Sequence, residues 1–131
     1  MEIDTTQDKI TIEPAGRAVN VTFNGAILAS TEEALRLKEE GHEPVYYIPR
    51  HRVEMAFLYP TEKRTTCPLK GEARYWNISA EGMAAENAVW SYEEPYDGVS
   101  EIAGHIAFDK RYVTIDDGVG GQDIVPGRDV K

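Results

Sequence analysis

The feature that most limits what this chain can fold into is Asn24-Gly25, set directly after Val19-Asn-Val-Thr-Phe23. Val19, Val21 and Phe23 alternate with Asn20 and Thr22, the period of a strand with one buried face. Asn and Gly both accept the positive φ that a two-residue type I′ turn demands, so the chain must reverse there and pair with itself. Such a loop sets Phe23 against Ala26 and Val21 against Leu28, which brings the apolar faces of both strands together.

With one hairpin in place, most of the remaining chain reads in the same period. Ile10 and Ile12 alternate with Thr11 and Glu13, a short strand ended by Pro14-Ala15-Gly16. Ser30–Gly41 carries two patterns. Ser30-Thr-Glu-Glu33 resembles a helix capping box with Gly41 as the closing residue, but Leu35 and Leu37 alternate with Arg36 and Lys38. The apolar stripe is thin for a well-buried helix, which favours a strand, but the sequence leaves both readings open. Val45–Ile48, between Pro44 and Pro49, is a strand, and Pro49–Arg52 a turn. Val53, Met55, Phe57 and Tyr59 alternate as a further strand that Pro60 closes. Val99, Ile102, Ala103, Ile106 and Ala107 fall at i, i+3, i+4, i+7 and i+8, a helical stripe with Asp97 or Ser100 as caps. Gly104 inside it costs about 1 kcal/mol relative to alanine. Tyr112–Ile115 is a last strand, and Gly118–Lys131 a Gly/Pro-rich tail. The 131 residues make a single domain, with a core over about 10–116 and a flexible 117–131. It is expected to be mainly antiparallel β, with one amphipathic helix near the C-terminus.

The chemistry concentrates in Thr65–Tyr92, which holds the lone cysteine, both tryptophans, and Lys70 between Pro68 and Gly71. A Cys-Pro turn leads into a strand (Glu72–Ser79), a turn at Glu81-Gly82 and a second strand (Ala84–Tyr92). That loop sets Asn77 opposite Glu86, Trp76 opposite Asn87 and Tyr75 opposite Ala88. Polar groups among large aromatics are the usual lining of a small-molecule pocket. Cys67 is the candidate nucleophile, with Lys70 three residues on to lower its pKa; the plainer account is a small buried hydrophobe. Lys70, with Arg50 and Arg74, is suited to hold an anionic group, or else is a solvated turn lysine. Glu86 and Asn87 are poor strand residues placed mid-strand, and Glu86 against aromatics is the candidate acid-base group. Tyr47, Tyr75, Trp76 and Trp90 are the candidate walls, although such rings most often fill a β core.

Other chemistries find no support. Acids outnumber bases 23 to 14, a net charge of −9, which opposes both nucleic-acid and anionic-membrane binding. No run approaches the ~20 apolar residues of a membrane span. The residues MEIDTTQDK are unlike a secretory signal, and a single cysteine suits a reducing cytoplasm. His42, His51 and His105 lack ligand spacing and no Cys-x-x-Cys occurs, so no metal site is expected. No cofactor is implied either: a phosphate loop is absent, and Gly118-Val-Gly120-Gly121 precedes no helix.

Four stretches carry a resemblance: V-T-F-N-G-A at 21–26, P-V-Y-Y-I-P-R at 44–50, T-x-C-P-x-K-G-x-A-x-Y-W at 65–76, and E-N-A-x-W-S-Y-x-x-P at 86–95. Followed by I-A-G-x-I-A-F at 102–108, they resemble the domain-of-unknown-function family 427 of bacteria and fungi, which is catalogued as nucleotidyltransferase-like. The resemblance implies a β-tent-like fold, two antiparallel sheets meeting at an angle, here without the paired Cys-x-x-Cys zinc ligands of related folds. It implies no reaction, because fold does not carry function. The expectation is a cytoplasmic domain with an aromatic pocket for a small ligand, an anionic one if Lys70 and Arg50 face it. An enzyme acting through Cys67 or Glu86, a nucleotidyl-transfer activity and an interaction module using a sheet edge are the alternatives. Ligand identity and oligomeric state are not legible.

Overall fold

The hairpin at Asn24-Gly25 forms with φ of 50° and 91° at its two loop residues, joining β2 (Val19–Phe23) to β3 (Ala26–Thr31). Phe23 pairs with Ala26 and Thr22 with Ile27, but the register then slips by one, so that Val21 faces Ala29 rather than Leu28. The extra residue is a β-bulge, and it lets two consecutive side chains face inward. Leu28 and Ala29 are both buried, while Ile27 remains 60% exposed.

The computed structural model describes residues 9–119. The expected polar start and flexible tail therefore fall largely outside the described residues. β1 (Ile10–Pro14) and β2 precede β3; β4 (Leu35–Glu39), β5 (Val45–Tyr47), β6 (Leu58–Cys67), β7 (Gly71–Ala80), β8 (Met83–Tyr92), β9 (Ala107–Phe108) and β10 (Thr114–Asp116) follow. Every pairing is antiparallel. The described residues form three sheets, not the expected two: β1-β4-β5, β10-β2-β3 and β6-β7-β8-β9. Ser30–Gly41 resolves in favour of the strand, with Leu37 buried between β1 and β5.

The four-stranded sheet is apolar on both faces. One face sends Trp76, Ile78, Val89 and Phe108 into a core shared with Val21, Phe23 and Leu28. The other sends Ala73, Tyr92 and Ala107 into a smaller core shared with Leu37, Tyr47, Val99 and Ile102, with Tyr75 and Trp90 packed against it. Two-sided burial explains why β7 and β8 lack a clean polar alternation.

Three local readings need correction. Val53–Tyr59 is not one strand: Met55–Phe57 is a 3₁₀ turn, and β6 begins only at Leu58 and runs on through Pro60. Pro60 is tolerated because β6 is the sheet edge, where a missing N–H removes no interior ladder bond. The late helix is absent as well. Asp97–Ile102 forms kinked 3₁₀ turns with Val99 at φ −129°, and no side chain caps them. Gly104, at φ +71°, turns the chain away. Ile106 then spends both backbone groups on Ile48, at 2.8 and 2.9 Å, and Ala107 and Phe108 pair with Trp90 and Val89. Inter-strand bonds replace the i→i−4 ladder a helix would need. No helix of the described residues is long and apolar enough to cross a membrane.

Gly25 has no heavy atom within 4 Å of where a Cβ would stand, so only its positive φ resists substitution. Gly25→Val should destabilise the protein by at least ~1 kcal/mol, since a β-branched residue strongly disfavours that conformation. Urea denaturation checks this, and an unshifted midpoint with unchanged slope would contradict it.

Candidate functional site

The site begins with a register error that the protein builds in. Near the Glu81-Gly82 turn, Ile78 pairs with Ala85, but beyond it Trp76 pairs with Val89 and Tyr75 with Trp90. Asn77 alone stands against three residues of β8, Glu86 to Ala88, instead of facing Glu86 in a regular ladder. Asn87 adopts φ +52° at the centre of this bulge, a conformation asparagine enters more readily than most residues. Its N–H donates to Asn77 Oδ1 at 2.8 Å, and Thr61 Oγ1 from a second bulge in β6 donates to Asn87 Oδ1 at 2.7 Å. The poor strand propensity of Glu86-Asn87 thus marks a local break in the sheet.

The bulge adds two residues to β8, so Trp90 and Tyr92 beyond it keep their face, while within it Asn87 turns to the cleft side and Ala88 to the core. Trp90 and Tyr92 turn toward the β1-β4-β5 sheet, as does Tyr75 from β7, and a cleft of about 540 Å³ opens there. Tyr47, Cys67, Lys70, Tyr75, Asn87 and Trp90 all line it. Six of the nine sequence-selected residues therefore meet at one place. Glu86 does not: it is exposed and absent from the lining. Arg50 and Trp76 do not either, because Trp76 belongs to the opposite face of the sheet and Arg50 stacks on it, 5.3 Å from the ring centroid. The regular register had paired Trp76 with Asn87, and the bulge removes that pairing.

At the inner end of the cleft, Lys70 is 8% exposed. The Cys-Pro turn closes through Lys70 N–H to the Cys67 carbonyl at 3.2 Å, and Tyr96 N–H holds the Lys70 carbonyl at 2.9 Å. The Lys70 side chain points inward to Glu39 Oε1 at 2.8 Å, with Cys67 Sγ 3.6 Å away and the Tyr92 ring centroid at 6.0 Å. Glu39 sits on β4, and its alternating strand offered no sign that one carboxylate would be drawn in to neutralise a buried ammonium. A charge so placed needs a partner.

The aromatic wall is polar in places. Trp90 Nε1 donates to Tyr47 Oη at 3.3 Å, and Tyr75 Oη shares a hydrogen bond with Thr65 Oγ1 at 2.9 Å. Burial pushes the Tyr47 hydroxyl up to about 12, against a lowering by the Trp90 hydrogen bond. Burial raises Tyr92 as well, with Tyr47 adding to the effect. Both phenols are thus neutral donors at physiological pH. The outer rim is charged: Lys63 lies over the Tyr75 ring at 4.7 Å, Asp109 is bound by Arg111 Nη2 at 2.6 Å, and Glu43 is paired with Lys110. The Arg111 hydrogen bonds hold the Asp109 carboxyl below its ordinary range. Among the described residues, no group of three or more His, Cys, Asp or Glu side chains is arranged to hold a metal ion.

Comparison with protein families gives one match: the model described as "Domain of unknown function (DUF427)", under a nucleotidyltransferase-like label, matches residues 11–118. The chain belongs to this family. No curated protein matches it. The DUF427 match spans every strand of the three sheets but the first residue of β1, so the cleft lies wholly within the family domain.

The Tyr47 shift has a consequence for stability in base. A phenol with a folded pKa of about 12 and an ordinary value near 10 keeps its full contribution below about pH 10 and loses it as pH rises toward 12. The loss is on the order of 2–3 kcal/mol, from two units at ~1.4 kcal/mol each. Tyr47→Phe should flatten this part of the stability–pH curve measured by urea denaturation between pH 9 and 11. An identical slope in both proteins would contradict it.

Proposed function

We propose that this DUF427 domain is a cytoplasmic small-molecule-binding protein whose ligand enters the cleft between the β1-β4-β5 sheet and β7-β8. The observation that carries this reading is convergence: Tyr47, Cys67, Lys70, Tyr75, Asn87 and Trp90 come from four separate stretches yet line one cleft of about 540 Å³. That volume suits a ligand of drug or metabolite size. The flat walls of Tyr75 and Trp90 would take a planar or apolar body. Lys70 and the neutral phenols of Tyr47 and Tyr92 offer donors to a carbonyl, carboxylate or phosphate oxygen. Because Glu39 already balances Lys70, a singly charged head suits the inner end better than a multiply charged one. The opening of the cleft where two sheets meet supports the β-tent-like arrangement that the family resemblance implies.

A covalent version has one specific observation in its favour, the 3.6 Å between Lys70 Nζ and Cys67 Sγ. An adjacent ammonium favours the thiolate over the thiol. Glu86, in solvent, has no part in this reading. Nucleotidyl transfer, as the family label suggests, would need carboxylates gathered around metal ions, and the described residues offer no such group. The sheet-edge module is disfavoured by β6, whose polar, bulged, Pro60-containing edge carries Lys63 and Arg64. These are the devices that deter pairing with another chain. The net charge of −9 speaks against nucleic-acid and membrane partners.

Protein purified natively from its own host should release a small molecule on denaturation, detected by mass spectrometry at near-stoichiometric yield. Trp90→Ala and Lys70→Gln should each reduce that yield about tenfold or more, the effect of losing one buried contact worth ~1.5–3 kcal/mol. A mass adduct surviving denaturation on Cys67 would select the covalent version. Empty wild-type protein that also fails to be thermally stabilised by a panel of small carboxylates and phosphates would overturn the reading.

A further inference from the structure

Trp76 and its neighbours form a second constellation on the opposite face of the four-stranded sheet from the cleft. Trp76 is 3% exposed, and two guanidinium groups cover its ring, Arg74 at 4.7 Å and Arg50 at 5.3 Å from the centroid. Stacking on an indole fixes a guanidinium in plane while leaving its N–H edge free to donate. Arg50 donates to Glu93 Oε2 at 3.1 Å. Arg74 has no carboxylate and no hydrogen-bond acceptor among the described residues, and its Nε is buried without a partner. Ser91, its direct partner across the β7–β8 ladder, is fully buried, and its Oγ is likewise unpartnered among the described residues.

Two buried donors without acceptors, on facing residues of one strand pair, are costly as they stand. One acceptor with more than one oxygen could satisfy both. The charge count says which kind. Two guanidiniums against one carboxylate leave a single positive charge over Trp76, in a chain whose net charge is −9. Arg50 is half-buried and also lines a shallow surface depression with Pro49, His51, Gly104 and His105.

We propose that Arg74, Arg50 and Ser91 form a binding site for a singly charged oxyanion, a carboxylate or a phosphate monoanion, supported on the Trp76 ring. Arg74 supplies the uncompensated charge and the N–H edge, Ser91 a hydroxyl donor, and Arg50 a second guanidinium that Glu93 holds partly in check. The body of a larger ligand carrying that group would lie in the depression beside Arg50. This site does not rest on the cleft reading: it shares no residue with the cleft and lies across the sheet from it.

The test is a titration of the full-length protein at pH 6 with sodium acetate and, separately, sodium phosphate at constant ionic strength, followed by the ¹⁵N–¹H signals of Arg74 Nε and Trp76 Nε1. Saturable shifts of both signals are expected for at least one anion, and the tighter of the two assigns the source as carboxylate or phosphate. Arg74→Gln should weaken binding about tenfold, the loss of a charge-assisted hydrogen bond, and Ser91→Ala should weaken it less. Glu93→Gln releases Arg50 and should tighten binding about threefold or more, by removing a like-charged competitor. This variant decides the matter even if Arg74→Gln fails to fold. Shifts that grow linearly with salt to the same extent in wild type and Glu93→Gln, an adventitious ion only, would overturn the proposal.

Discussion

The structure depends on a sheet that must be covered twice. β7 and β8 carry large apolar side chains on both faces, Trp76 and Val89 on one, Tyr92 and Ala73 on the other. Neither face can be left in water: burial of one such side chain is worth roughly 1.5–3 kcal/mol. The β10-β2-β3 sheet covers the first face and β1-β4-β5 the second. Each covering sheet has only three short strands and has little core without the hairpin it packs on. The fold is thus three small sheets held together by the middle one, tied at its edge where Ile48 and Ile106 exchange both backbone bonds.

Two departures from regularity then give the central sheet its chemistry. The bulge at Asn77 and Asn87 turns Asn87 to the cleft and moves Trp90 from opposite Ala73 to opposite Tyr75, and Thr61 in β6 closes the bulge's open acceptor. Without those hydrogen bonds, a residue at positive φ in mid-sheet would be strain with no compensation. The Cys-Pro turn is the second. It folds Lys70 back under Tyr92, where Glu39 is the partner that makes a buried ammonium tolerable. A buried pair of this kind adds little net stability.

The same sheet separates charge. The cleft face balances Lys70 with Glu39 and Asp109 with Arg111. The opposite face places two arginines over Trp76, of which only Arg50 has a carboxylate partner, Glu93. Alternation along a strand, side chains one residue apart pointing to opposite faces, is enough to send Tyr75 and Trp76 to different environments.

What the sequence alone determined is local and periodic. Asn24-Gly25 specified its turn because the required φ values belong to those residues and to few others. Leu35 and Leu37 favoured β4 over a helix without excluding it, and pairing with β1 and β5 decides for the strand. The concentration of chemistry in Thr65–Tyr92 was legible because aromatic and reactive residues are clustered there. The tertiary structure alone decided three things. It set the register of β8, because a two-residue bulge depends on Asn87 donating to Asn77 Oδ1 and accepting from Thr61 Oγ1, which lies on another strand. It replaced a helix-spaced run with 3₁₀ turns and a strand, because Ile48 and Trp90 offered Ile106 and Ala107 stronger pairing than their own neighbours did. And it brought Glu39 to Lys70 across 31 residues, because burying a charge selects its partner by proximity in space, which no spacing along the chain records.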